Sequence, residues 1–154
     1  MAKAIQKTNV MRVLTQKKIK FQSYHLDISE AVSGVEMAAM LKQDPAQVFK
    51  TLVARGEKTG INVFCIPVCC ELDLKKAARA AGDKNMEMVA VKDLLGLTGY
   101  IRGGCSPVGM KKKYPTFMDE TCILWEEIAV SAGARGHQMI LPPEELANLV
   151  DAKL

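Results

Sequence analysis

Lys50 lies in the stretch VFKTLVA, where its alternating neighbours Val48, Leu52 and Ala54 are apolar. A cation on such a face either runs its stem along the apolar surface with its head in water, or points into a pocket to hold a phosphate or carboxylate. Further along, Gly103-Gly104-Cys105-Ser106-Pro107-Val108-Gly109 precedes Lys111, Lys112 and Lys113. This segment is neither GxGxxG nor GxxxxGK[ST], which excludes the common nucleotide-binding motifs. Its glycines let backbone approach a ligand closely and Pro107 stiffens the turn, so its N–H groups could face a developing oxyanion. A structural turn would use the same residues. Cys105 is a potential thiolate nucleophile, but neither His25 nor His137 stands in a motif relation to it that would mark an activating base. The other reading makes it a small hydrophobic wall residue. The segment Ser131-Ala132-Gly133-Ala134-Arg135-Gly136 offers a hydroxyl, a pliable backbone and a guanidinium, and taken alone is an ordinary hairpin turn. No Ser-His-Asp set can be assembled from the spacing.

Cofactor and metal chemistry find little support. Two histidines, no HExxH and no closely spaced thiolate–imidazole pairs argue against zinc, and we expect neither metal nor cofactor. Five cysteines without CxxC spacing read as reduced thiols, and the nine methionines as core filler. The N-terminal residues scatter lysines among apolar positions without a secretory pattern, and no apolar run is long enough to span a bilayer. A cytoplasmic protein is expected, with no membrane partner. The net charge of +4 is mild, but lysines cluster at 17, 18 and 20, at 75 and 76, and at 111 to 113, either as a solvated face or as a surface for a polyanion.

The elements that must position these residues are mixed in order. A first helix is expected over 9–18 and a strand over 19–26, followed by a helix opened by the Ser33/Glu36 capping box. VFKTLVA and INVFCIPV form a hairpin around GEKTG, with Pro67 at an edge or strand end. Asp73 caps a helix that stops at Gly82. A strand over 86–89, a helix over 91–97 and a strand over 100–102 lead into the glycine segment. Strands over 127–131 and 137–141 flank the GARG turn, and Pro142-Pro143 opens a last helix. Several hairpins without regular strand–helix alternation indicate an α+β fold: a mixed, largely antiparallel, barrel-like sheet flanked by helices. With 154 residues and no linker or repeat, residues 1–154 are expected to form one domain.

Lys50 in VFKTL, the block TGYIRGGCSPVGMKKKYPTFMDE, and VSAGARG, in this order and at these separations, resemble the YbaK/EbsC family. Its members are small relatives of the editing domain of bacterial prolyl-tRNA synthetase that hydrolyse mischarged aminoacyl-tRNA. The likeness covers nearly the whole chain, including LDLKKAARAAG. It implies a free-standing deacylase, with Cys-tRNA(Pro) the leading substrate, alanine or another amino acid the alternative, and prolyl-tRNA synthetase a possible co-worker. Lys50 matches the lysine required for activity. Gly103, Gly104, Ser106, Pro107 and Gly109 match the substrate loop, and Tyr24, Ser131 and Gly133 match pocket positions. Lys111, Lys112, Lys113 and Arg135 would attract the tRNA backbone. In the cysteine-editing branch the substrate's own thiol attacks its carbonyl, so no protein nucleophile is required. Two positions depart from the pattern: Cys105 replaces an aliphatic residue and Ala134 a lysine. The rival reading from another class is a non-catalytic module that grips tRNA or a synthetase.

Overall fold

The structure, a computed structural model, describes residues 8–25 and 34–154. The first helix, α1 (Asn9–Gln16), opens where the Thr8 hydroxyl accepts the Met11 N–H at 3.2 Å, and it buries Val10, Met11 and Leu14 along one side. After it come β1 (Gln22–His25), α2 (Gly34–Met40), and the hairpin of β2 (Phe49–Gly56) and β3 (Gly60–Pro67). Pro67 closes β3, as its sequence position predicts, paired with Phe49 at the start of β2. Ser33, the expected cap of α2, lies outside the described residues.

Helix α3 (Leu74–Ala81) has the ends its sequence predicts. One Asp73 carboxylate oxygen accepts the Lys75 and Lys76 N–H groups, both at 3.1 Å, and Gly82 terminates the helix at φ 74°. Then follow β4 (Met86–Met88), α4 (Val91–Thr98), β5 (Thr116–Met118), a 3-10 turn at Glu120–Leu124, β6 (Ile128–Ser131), β7 (His137–Leu141) and α5 (Pro143–Val150). Pro143 starts α5 at a position where its missing N–H costs nothing.

The fold is mixed α+β, and its ladders form two sheets. One is β1-β7-β6, wholly antiparallel. The other is β4-β2-β3-β5, antiparallel except for the parallel pairing of β3 with β5. A single parallel bridge between Val48 and Ala129 links them. The first sheet packs Ile128, Val130, Met139 and Leu141 against Val10, Leu14 and Leu146 in the main core. Its other face carries Ala129 and Ile140 against Val48, Val68 and Ala38. The second sheet lays Ala54, Phe64 and Met86 on Ala77 and Ala78 of α3. The mouth between the sheets is therefore framed by β2, by the ends of β6 and β7, and by α2.

One expected element is absent. Residues 100–102 form no strand, because local bonds turn the chain there. The Thr98 hydroxyl accepts the Tyr100 N–H at 3.0 Å, the Gly104 N–H donates to the Ile101 carbonyl at 3.0 Å, and the Tyr100 hydroxyl donates to the Val108 carbonyl. Conversely, β5 and the 3-10 turn appear in a stretch to which the sequence reading assigned no element.

The β2–β3 turn hangs on Asp83. Its Oδ2 accepts the Lys58 N–H at 3.0 Å, the Thr59 N–H at 2.8 Å and the Thr59 hydroxyl at 2.7 Å. The Thr59 N–H, above all, holds this carboxyl well below the usual carboxylate range. A depressed carboxyl stabilises the fold at pH values above its unfolded pKa and loses that contribution as pH falls through the folded one. Asp83→Asn should therefore lower Tm at pH 7, and the gap to wild type should narrow as pH drops below about 4. Equal Tm values at pH 7, or a gap independent of pH, would contradict the clamp.

Candidate active site

A cavity of about 700 Å³ opens between the two sheets. Its floor is β2 from Val48 to Val53, and its sides are Gly34, Val35 and Met37 of α2 and the β4–α4 segment at Met88, Val89, Val91 and Leu94. The remaining wall is Arg102, Gly103 and Cys105, faced by Ser131 and Gln138. The volume suits an aminoacyl nucleoside or another ligand of that size.

Lys50 is on this wall and half-buried. Strand β2 fixes its backbone against β3, with Ile66 as its partner across that ladder, beyond the end of the β4 pairing, which starts at Ala54. Its ammonium makes no hydrogen bond or ion pair among the described residues. Among the described residues Arg102 is the second cation on the wall, and no carboxylate lines the cavity. The field inside is therefore positive and suits a phosphate or a developing oxyanion.

Gly103 and Cys105 face the cavity, while Gly104, Ser106, Pro107 and Val108 are buried away from it. The Ser106 hydroxyl accepts the Val108 N–H at 3.3 Å and tightens the turn. Gly104 has to be glycine, because a Cβ there would stand 2.9 Å from the Arg135 nitrogen and 3.1 Å from the Ala134 carbonyl carbon. The loop is thus pressed against the GARG turn, backbone on backbone. Arg135 adds a strut, its Nη2 donating to the Arg102 carbonyl at 3.1 Å. Gly133 takes φ 98°, and a Cβ there would lie 2.8 Å from Val10 Cγ2. Its N–H donates to the Ser131 hydroxyl oxygen at 3.2 Å, leaving the Ser131 proton free to point elsewhere.

Several of the expected site residues lie off the wall. Tyr24 is 40% exposed on β1 and donates to Gln22 Oε1 at 3.0 Å. It nevertheless shares a row with the cavity, because Tyr24 pairs with Gln138 and Gln138 with Ser131 across the three strands. Gly109 sits beside Tyr100. Lys111 lays its stem along Gly99, and Lys113 pairs with Asp151, with Lys112 exposed between them. The three lysines are surface residues outside the cavity.

The sequence reading assigned no role to Arg102 or Gln138. Gln138 was detectable by the argument that singled out Lys50: on β7 it alternates with the buried Ile140, a polar group on an apolar face. Arg102 was hidden by the expected strand.

Among the described residues the wall holds no protein nucleophile with its base. Burial pushes the Cys105 thiol up to about 12, and that of Cys65 likewise to about 12. His25 and His137 lie with ring centroids 4.2 Å apart and planes tilted by 48°, and they line no part of the cavity. Among the described residues no group of three or more His, Cys, Asp or Glu could hold a metal ion.

Residues 29–149 match the family model described as an aminoacyl-tRNA editing domain. The chain belongs to the aminoacyl-tRNA editing family. An editing-family relative from Enterococcus faecalis, EbsC, is 47% identical over 98% of this chain and 93% of its own; its name proposes a Cys-tRNA(Pro)/Cys-tRNA(Cys) deacylase. A crystal structure described as a candidate trans-editing enzyme for prolyl tRNA synthetase matches this editing domain with TM-score 0.81 at 27% identity, covering 97% of this chain and 96% of that one. A hypothetical protein shares the fold at TM-score 0.82 and 19% identity, over 94% of this chain and 97% of its own.

The thiol environments of the editing domain make one prediction. Iodoacetamide at pH 8 should label the exposed Cys69 and Cys70 at least about a hundredfold faster than the buried Cys65 and Cys105, because alkylation requires thiolate and access. Cys105 reacting as fast as Cys69 would show a reactive nucleophile instead of a wall residue.

Proposed function

We propose that the protein is a trans-editing aminoacyl-tRNA deacylase, acting on Cys-tRNA(Pro) as a single unit over residues 1–154 in the cytoplasm. The observation that carries this reading is a cavity with two cations, a glycine-rich backbone wall and, among the described residues, no nucleophile–base pair. An aminoacyl ester is already activated, and its ribose 3′-oxygen is a good leaving group. Positioning and oxyanion stabilisation can then supply most of the rate.

In this scheme Lys50 holds the acceptor end through its terminal phosphate or adenosine. The 103–105 backbone faces the ester carbonyl, with Ser106, Pro107 and Gly109 shaping the loop behind it. Ser131 contributes a hydroxyl proton. The substrate thiol attacks the carbonyl carbon, an S–C bond forms, the C–O3′ bond breaks, and the thiol proton ends on the ribose oxygen. Water later opens the thiolactone. Tyr24 stands at the rim. Lys111, Lys112 and Lys113 give diffuse attraction to the tRNA backbone, and Arg135 braces the loop as well as adding charge. Prolyl-tRNA synthetase is the natural co-worker, since it releases the mischarged tRNA. Among the described residues no helix is long and apolar enough to cross a membrane.

The absence of a nucleophile–base pair would equally suit a module that binds charged tRNA without cleaving it. A panel of charged tRNAs separates the two readings. Cys-tRNA(Pro) should lose its amino acid at least about tenfold faster with protein than in buffer, whereas a binding module would leave that rate unchanged or slow it. Lys50→Ala should reduce kcat/KM by about a hundredfold or more while keeping the wild-type melting profile, the loss expected for one charge-assisted contact to the reacting end. Unchanged turnover would remove Lys50 from the site.

A further inference from the structure

We infer that Gln138 receives the α-amino group of the aminoacyl ester, an assignment that rests on the deacylase reading above. An aminoacyl ester brings three features to the cavity: an anionic acceptor end, a carbonyl and an amino group bearing N–H donors. Lys50, Arg102 and the loop N–H groups answer the first two. The amino group needs an acceptor, and among the described residues no carboxylate lines the wall.

Among the described residues, the polar side chains on the wall other than the two cations are Thr51, Cys105, Ser131 and Gln138. The Thr51 hydroxyl is engaged with Cys65 Sγ at 3.8 Å, and the Ser131 oxygen already accepts the Gly133 N–H. Cys105 carries a protonated thiol, a poor acceptor. Gln138 differs from all three. It is 5% exposed, and its Oε1 is buried without a hydrogen-bond partner. A buried carbonyl left without a donor is unfavourable and rare, so its persistence on a ligand cavity marks it as an acceptor for the ligand.

The position fits the chemistry. Gln138 stands directly across the ladder from Ser131, so their side chains emerge side by side on one face. One supplies a hydroxyl proton and the other a carbonyl oxygen, matching the carbonyl and amino groups that flank the α-carbon of the ester. Burial on the central strand β7, between β1 and β6, gives the amide little freedom to follow a displaced ligand. The consequence is specificity for a free amino group. Esters blocked at nitrogen, such as peptidyl-tRNA, would place a bulky acyl group against Gln138 and be excluded.

The test compares cysteinyl-tRNA(Pro) with 3-mercaptopropionyl-tRNA(Pro), which keeps the thiol and the ester and lacks the amino group. Wild-type kcat/KM should fall by about 10- to 100-fold on the deamino substrate. Gln138→Leu should lose a similar factor on cysteinyl-tRNA(Pro) and change by less than about twofold on the deamino substrate. Gln138→Glu, which retains an acceptor, should keep the preference for the amino group; its thermal melt serves as the folding control should the leucine variant not fold. Equal losses on both substrates in Gln138→Leu, or an amino-group preference lost in folded Gln138→Glu, overturn the assignment. Wild type cleaving both esters equally well also overturns it while leaving the deacylase reading intact. Wild type cleaving neither ester removes the deacylase reading itself.

Discussion

The site depends on one backbone-to-backbone contact, the packing of Gly104 against the Ala134–Arg135 peptide. Two turns far apart in sequence meet there at a distance that no side chain could tolerate. That contact turns Gly103 and Cys105 toward the cavity and sends Ser106 and Val108 into the protein. The bond from Arg135 Nη2 to the Arg102 carbonyl fastens the same junction and places the Arg102 backbone at the cavity mouth. The Tyr100 hydroxyl, bonded to the Val108 carbonyl, fixes the far side of the loop. A backbone wall held this way has little reorganisation left to undergo when charge develops on a bound carbonyl, which is what makes preorganised N–H groups effective.

The electrostatics follow from what the wall omits. Lys50 and Arg102 face a cavity that no carboxylate lines among the described residues, so an anionic acceptor end would gain from both charges. The same omission leaves the amino group of an ester with no ionic partner, which is why a neutral carbonyl on β7 matters. The site reads its ligand with one sign of charge and a few neutral dipoles. In the proposed scheme the chemistry falls to the substrate, since burial keeps the Cys105 thiol protonated and both imidazoles lie off the cavity wall.

Much of this arrangement was legible in the residues. Elements with local determinants formed as expected: Asp73 and Gly82 bound α3, Pro143 opens α5, and the alternation of VFKTLVA and INVFCIPV yields the β2–β3 hairpin. Lys50 drew attention because it breaks an apolar face, and it lines the cavity; Ser131 and Gly103 line it too. Features set by distant partners were not legible. The three-residue β5 exists through its parallel pairing with β3, Val63 opposite Thr116, and a bridge from Phe117 to Lys153, and the bend at Tyr100–Arg102 depends on the Thr98 hydroxyl and on Val108. Sequence spacing likewise could not separate loop residues facing the ligand from those facing the core. That division arises from the Gly104 contact, whose two sides lie about thirty positions apart in the chain.

The most direct test of the account is a crystal structure with a cysteinyl-adenosine analogue carrying an amide in place of the ester, which resists cleavage and preserves the carbonyl and the amino group. The account predicts the analogue in the cavity between the sheets, its carbonyl oxygen toward the Gly103–Cys105 backbone and its adenosine end beside Lys50. An analogue bound outside that cavity, for instance in the surface hollow at Arg55 and Glu87, would contradict it.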